Sequence, residues 1–125
     1  MKRDWDVIRK ILLTCEAAPS GQRITSRAFP DLDKAVVFEH VRILTDAGYL
    51  EADLKPSSTG AGGGEFMILY MAWDGHDLLA KMKSDTWWAK IKKVAADKGL
   101  TLTFDVIKTL ALPAAKELFG LDDIG

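Results

Sequence analysis

The sequence predicts a small α+β fold, mostly α, in which a helical chain is interrupted once by a β-hairpin. Three observations predict it. Apolar residues recur at spacings of three and four over residues 4–17, 34–47 and 86–98. Between the second and third of these segments, Gly60-Ala-Gly-Gly-Gly64 separates two stretches of strand composition. The 125 residues are 48% hydrophobic and 28% charged, the composition of one domain able to bury a core.

Residues 4–17 read as the first helix. Asp4 is placed to accept from the first unpaired amides, and Asp6 adds negative charge where the helix dipole favours it. Trp5, Ile8, Leu12 and Cys15 form one apolar stripe, widened by Ile11. Pro19-Ser20-Gly21 ends the helix. Gln22 to Thr25 has β-branched strand character, and Thr25 or Ser26 caps a brief turn that Pro30 limits. Asp31 and Asp33 both offer N-caps for a helix over 34–47, whose inward seam is Val37, Val41 and Leu44. Gly48 fits the left-handed position just past its end.

Residues 49–53 and 66–72 then pair as a hairpin, with 53–65 as a mobile loop at its tip. Trp73 opens a helix through about Lys83. Ser84 or Asp85 caps the next, 86–98, with Trp88, Ile91 and Val94 or Ala95 inward and Gly99 as its stop. Thr103 caps a last helix carrying Val106, Ile107, Leu110 and Ala111, which Pro113 interrupts before Leu118 and Phe119. A frayed tail over 120–125 completes the reading.

Composition excludes several classes. Lys plus Arg is 17 and Asp plus Glu is 18, so a net charge of −1 rules out coating nucleic acid by bulk charge. The single cysteine, Cys15, makes no internal disulfide, and no cysteine-based zinc site can form. The charged start carries no secretory leader, and no apolar run reaches the ~18 residues that span a membrane. The expected setting is the reducing cytoplasm, with no membrane partner.

Helix, short strand, brief turn, helix and long-tipped hairpin is the order of a winged helix-turn-helix-like domain. The division expected is such a domain over 1–84, with a C-terminal helical extension, 85–125, packed on it. In that arrangement the helix before the hairpin lies in the DNA major groove and the hairpin tip reaches the adjacent backbone.

Particular segments sharpen this. Glu39-His-Val-Arg-Ile-Leu-Thr-Asp-Ala-Gly-Tyr-Leu50 resembles the end of a winged-helix recognition helix running into the first wing strand. Met1-Lys-Arg-Asp4, Ile8-Arg-Lys-Ile-Leu-Leu13, His40 to Leu50, Trp73-Asp-Gly-His76 and Asp85-Thr-x-Trp88, taken in order, cover nearly the whole chain. Together they resemble the bacterial and phage family of uncharacterised proteins called domain of unknown function 2513. The resemblance implies a winged-helix-like domain with a helical tail and no assigned activity. Ala72 departs from a threonine usual in that family, which leaves Asp74 to cap the following helix, and the wing here is richer in glycine.

Two functions compete. In the first, the protein is a DNA-binding transcriptional regulator of double-stranded DNA, a homodimer through its C-terminal helices. Ser26, Arg27, Lys34, His40 and Arg42 face DNA, and Lys55 touches phosphate from the wing. In the second, it is a non-catalytic protein-interaction module, a phage-borne adaptor, using Val36, Phe38 and Ile43. The helix over 34–47 divides the two: base edges are read by Arg, Lys, Asn, Gln or Ser, yet its outer face also holds Glu39 and apolar side chains. The basic residues group at the start (Lys2, Arg3, Arg9, Lys10) and over 81–98 (Lys81, Lys83, Lys90, Lys92, Lys93, Lys98).

Chemistry gives weaker signals. Asp74, His76 and Asp77 read as a favourable helix N-terminus rather than a metal site. Cys15 sits on an apolar stripe, as an inert thiol does. The glycine run lacks the Lys-Ser/Thr ending of a phosphate loop. Among the four tryptophans, Trp5 and Trp88 fit inward seams, and Trp87 is the one expected outside. No enzyme, metal or cofactor is expected.

Overall fold

The computed structural model describes residues 3–59 and 62–110. The expectations placed on Lys2, Gly60, Ala111, Pro113, Leu118, Phe119 and the tail lie outside the described residues. The chain divides into two compact units, Met1–Leu79 and Ala80–Gly125.

The first unit holds helix α1 (Trp5–Ala17), strand β1 (Ile24–Thr25), a 3-10 turn (Ser26–Ala28), helix α2 (Lys34–Asp46), strands β2 (Leu50–Pro56) and β3 (Gly64–Met71), and most of α3 (Trp73–Met82). The strands form one antiparallel sheet in the order β1-β3-β2. The fold is α+β with winged-helix-like order.

Local chemistry sets the element ends. Asp4 caps α1, its Oδ1 accepting from Asp6 and Val7 amides at 3.0 and 3.2 Å. Asp33, not Asp31, caps α2, accepting from Ala35 and Val36 at 2.9 and 3.2 Å. Gly48 takes φ 84° and so reverses the chain into β2 without the Cβ penalty. The first helical bond of α3 runs from the His76 amide to the Ala72 carbonyl, so Ala72 holds the cap position and Asp74 lies in the first turn instead.

The hairpin is longer than expected. Lys55 pairs with Glu65 and Pro56 with Gly64, which confines the connecting loop to residues 57–63. A kink near the other end changes which side chains face inward. Ala52 pairs with Ile68 but Glu51 pairs with Tyr70, so β3 carries one extra residue, Leu69. The alternation flips there: Phe66, Ile68 and Met71 are buried while Tyr70 is 59% exposed.

The core of this unit joins Ile8, Ile11 and Leu12 of α1 to Val37, Val41 and Leu44 of α2, and both to Leu50, Phe66 and Ile68 of the sheet. Phe29, just after the 3-10 turn, adds its ring 6.3 Å from that of Phe66. The expected seam of α2 is therefore correct, and fully burying each such side chain contributes roughly 1.5–3 kcal/mol. Gly75 lets α3 start where it does: a Cβ there would overlap the Tyr49 carbonyl oxygen and lie 2.7 Å from the Met71 Cγ.

The second unit holds α4 (Asp85–Asp97) and α5 (Phe104–Leu110). Ser84, rather than Asp85, caps α4, accepting from the Trp87 amide at 3.3 Å. Thr103 caps α5, accepting from the Val106 amide at 3.1 Å. Trp88, Ile91 and Ala95 are buried as expected, but Trp87 is buried too. It lies four residues before Ile91 and so on the same face. The exposed tryptophan is Trp73, at 82%. Gly75, Leu78, Leu79 and Met82 form the buried face of α3, and Trp73 falls outside that spacing.

Candidate nucleic-acid interface

The surface to be judged is the outer face of α2 together with the hairpin beside it. Two of the named residues are not on that surface. Phe38 is 2% exposed and His40 is fully buried, so neither presents a side chain to DNA or to a partner. The reason is the width of the buried arc. Helix α2 packs against α1 on one side and against both β2 and β3 on the other. The arc therefore extends beyond Val37, Val41 and Leu44 to both flanks. His40 is accommodated because its ring is fully bonded. Nε2 accepts from the Asp4 amide at 2.8 Å, which places the proton on Nδ1, 2.7 Å from the Val36 carbonyl. The histidine ties the start of α1 to α2.

What remains outside on α2 is Lys34, Ala35, Arg42 and Asp46, with Val36, Glu39 and Ile43 half-buried. Arg42 is the one side chain here suited to reading guanine, and it is already engaged. Its Nε and Nη2 donate to Glu39 Oε2 at 3.0 and 2.8 Å, and its Nη1 to Asp46 Oδ2 at 3.2 Å. The hydrogen bond donated to Glu39, then that residue's charge, raises the Arg42 pKa further above its usual value. The three residues sum to −1.

The hairpin brings together two residues that the sequence places 21 positions apart. Lys34, at the start of α2, and Lys55, on β2, line one open cleft of about 490 Å³ with Ser57, Ser58 and the tip glycines. The cleft is held by close packing of the tip on the helix, since a Cβ on Gly63 would lie 3.1 Å from the Ala35 Cα and Cβ. Glu65 shares the cleft, its Oε1 3.8 Å from the Lys34 Nζ, both side chains exposed. Exposed Arg27 lies elsewhere, on a depression with Thr14, Arg23 and Thr25, and Ser26 beside it is half-buried. The six residues named for DNA therefore divide into one pair (Lys34, Lys55), one neutralised arginine, one core histidine and a separate Ser26-Arg27 turn.

Burial pushes the Cys15 thiol up to about 11. Among the described residues, no group of three His, Cys, Asp or Glu could hold a metal ion. None of the described helices is long and apolar enough to cross a membrane.

By its architecture, then, the chain is an α+β protein with winged-helix-like element order and an open lysine-bearing cleft between α2 and the β2–β3 hairpin. Residues 2–101 match the family described as "Hypothetical protein (DUF2513)", and the chain belongs to that family. It is also 35% identical over 112 residues to an "Uncharacterized protein" of Haemophilus influenzae, covering 89% of this chain and 92% of that one. No solved structure matches it. The family match ends at Thr101, before α5 begins.

Proposed function

We propose that this protein binds double-stranded DNA as a non-catalytic regulator, with its wing and the start of α2 set on the phosphate backbone. The observation that carries this reading is the cleft that brings Lys34, Lys55, Ser57 and Ser58 to one open surface. Lysines and hydroxyls are groups that bind phosphate oxygens without reading sequence. Helix α2 contributes little base readout while Glu39 and Asp46 hold Arg42. A binding role rather than catalysis is supported by two candidates for chemistry. Cys15, with its pKa at about 11, stays a thiol at neutral pH. Both ring nitrogens of His40 are engaged inside the core.

The test is fluorescence anisotropy of a labelled mixed-sequence duplex at low salt. Binding is expected to weaken on combined Lys34→Glu and Lys55→Glu replacement, and no anisotropy change with the unmodified protein sinks the reading. A second reading, a protein-interaction module, is favoured by half-exposed Val36 and Ile43 on a face whose charged side chains, Lys34, Glu39, Arg42 and Asp46, sum to zero. It gains if DNA fails to bind and Ile43→Asp abolishes capture of a defined protein partner. The regulator reading carries with it a homodimer through the helices after residue 84, for which light scattering gives the mass directly.

A further inference from the structure

We propose that the depression holding Arg23 and Arg27 is a binding site for a small phosphate monoester, separate from the Lys34–Lys55 cleft. The proposal goes beyond the duplex-DNA reading and does not depend on it.

The depression measures about 510 Å³ and forms where the end of α1 meets β1 and the 3-10 turn. That volume falls within the range of small-ligand sites, roughly 300–1,000 Å³. Its polar walls are Arg23, Arg27, Gln22, Thr14 and Thr25, and among the described residues no Asp or Glu lines it. Two positive charges therefore share one concave surface.

The lack of acids sets this surface apart from the other basic positions of α2 and the wing. Arg42 is held by Glu39 and Asp46, and Lys34 stands 3.8 Å from Glu65. Arg27 is exposed and makes no hydrogen bond or ion pair with any described residue. Arg23, also exposed, gives one donor to an uncharged acceptor, its Nη1 lying 3.4 Å from the Leu69 carbonyl oxygen. That bond leaves the charge of the guanidinium uncompensated. The last turn of α1 also borders the depression, through Thr14 and Ala17. A helix C-terminus carries roughly half a negative charge, against two full positive ones here.

Donor chemistry selects the ligand. Each guanidinium presents a planar fork of N–H groups that matches paired oxygens. Two forks, with the Thr25 hydroxyl and the Gln22 amide beside them, offer more donors than a carboxylate has oxygens to accept. A phosphate monoester brings three acceptor oxygens and about −1.5 to −2 charge at neutral pH, which fits both the donors and the charge.

The experiment titrates the isotope-labelled full chain at constant ionic strength and reads the backbone amides of residues 22–28 by NMR. The probes are inorganic phosphate, adenosine monophosphate and, separately, the mixed-sequence duplex. Phosphate and the nucleotide are expected to shift those amides along saturating curves that sodium chloride does not reproduce. Arg23→Gln/Arg27→Gln is expected to weaken this binding by about tenfold or more, the loss of charge-assisted hydrogen bonds, with an unchanged urea midpoint because both side chains are exposed. Lys34→Gln/Lys55→Gln leaves it intact. If neither small probe moves those amides, or the arginine double binds as tightly as the parent, the proposal falls. It falls as well if the duplex alone moves them, since the depression is then part of a DNA surface. If the small probes bind here and the duplex binds nowhere, the DNA reading falls and this proposal stands.

Discussion

Replacing His40 tests the contact on which the packing of α1 against α2 depends. The ring is fully buried, so two separate losses can be worked out. In His40→Phe an aromatic ring is kept, somewhat larger than imidazole, but the acceptor at 2.8 Å from the Asp4 amide is gone. A buried donor left without a partner costs about 1–3 kcal/mol, and the partial exposure of this bond puts the cost near the lower end. The Val36 carbonyl adds little, because it still serves as a helical acceptor. In His40→Ala a ring-sized void is added, worth a further 2–4 kcal/mol or about that, by analogy with other large-to-small core changes. The expected losses are therefore about 1–2 kcal/mol for phenylalanine and about 3–5 for alanine, against a total of roughly 5–15 for a domain of ordinary stability. Urea unfolding followed by tryptophan fluorescence measures both, and Trp5, buried and adjacent to Asp4, is a local reporter. Hydrogen exchange at the Asp4 amide supplies a second, site-specific reading. A phenylalanine variant as stable as the parent, with the Asp4 amide equally protected, would show that the interhelical bond contributes nothing.

Two further outcomes follow from the same packing. Gly75→Ala is expected to cost about 3 kcal/mol, because the new Cβ meets the Tyr49 carbonyl, whereas Gly48→Ala, in open space but at φ 84°, costs only about 1; equal midpoints in urea would refute the distinction. Cys15 is expected to react with iodoacetamide at pH 8 about a hundredfold more slowly than an unburied thiol, given its rise from 9.0 to about 11. The same shift means that the folded chain binds more protons than the unfolded one between those values. Its contribution to stability is full below about pH 9 and is lost as pH rises towards 11, and a Cys15→Ser variant should lack that slope in urea midpoints measured across the range.

Much of the fold is legible residue by residue. The Val37-Val41-Leu44 seam, the caps at Asp4, Ser84 and Thr103, the left-handed Gly48 and the hairpin all follow from local chemistry that tertiary contacts reinforce. The failures share a cause: they depend on how many neighbours an element has. Periodicity locates the centre of the buried arc of α2, but its edges are set by α1 and the sheet, which is why Phe38 and His40 read as flanking surface and prove to be core. The hairpin strands extend to Pro56 and Gly64 because backbone pairing does not require apolar side chains. The extra residue in β3 has no local signature at Leu69, and it decides that Tyr70 faces out. For the candidate site, the spacing Glu39-Arg42-Asp46 already contains the ion pairs that neutralise the arginine. Lys34 and Lys55 meet only because the wing folds back on the start of α2.

The order of elements and the distribution of charge point to different parts of this molecule. A winged-helix-like order describes how a helix and a hairpin are presented, and many chemistries can occupy that presentation. Binding a phosphate backbone requires cations near it, within a screening length. Here residues 1–79 carry −3 and residues 80–125 carry +2. If duplex DNA is the ligand, any sequence preference should follow Arg42. Relief of the clamp by Glu39→Gln should accordingly alter which duplexes are preferred more than how steeply binding depends on salt, because it exposes one base-reading group and adds no new cation.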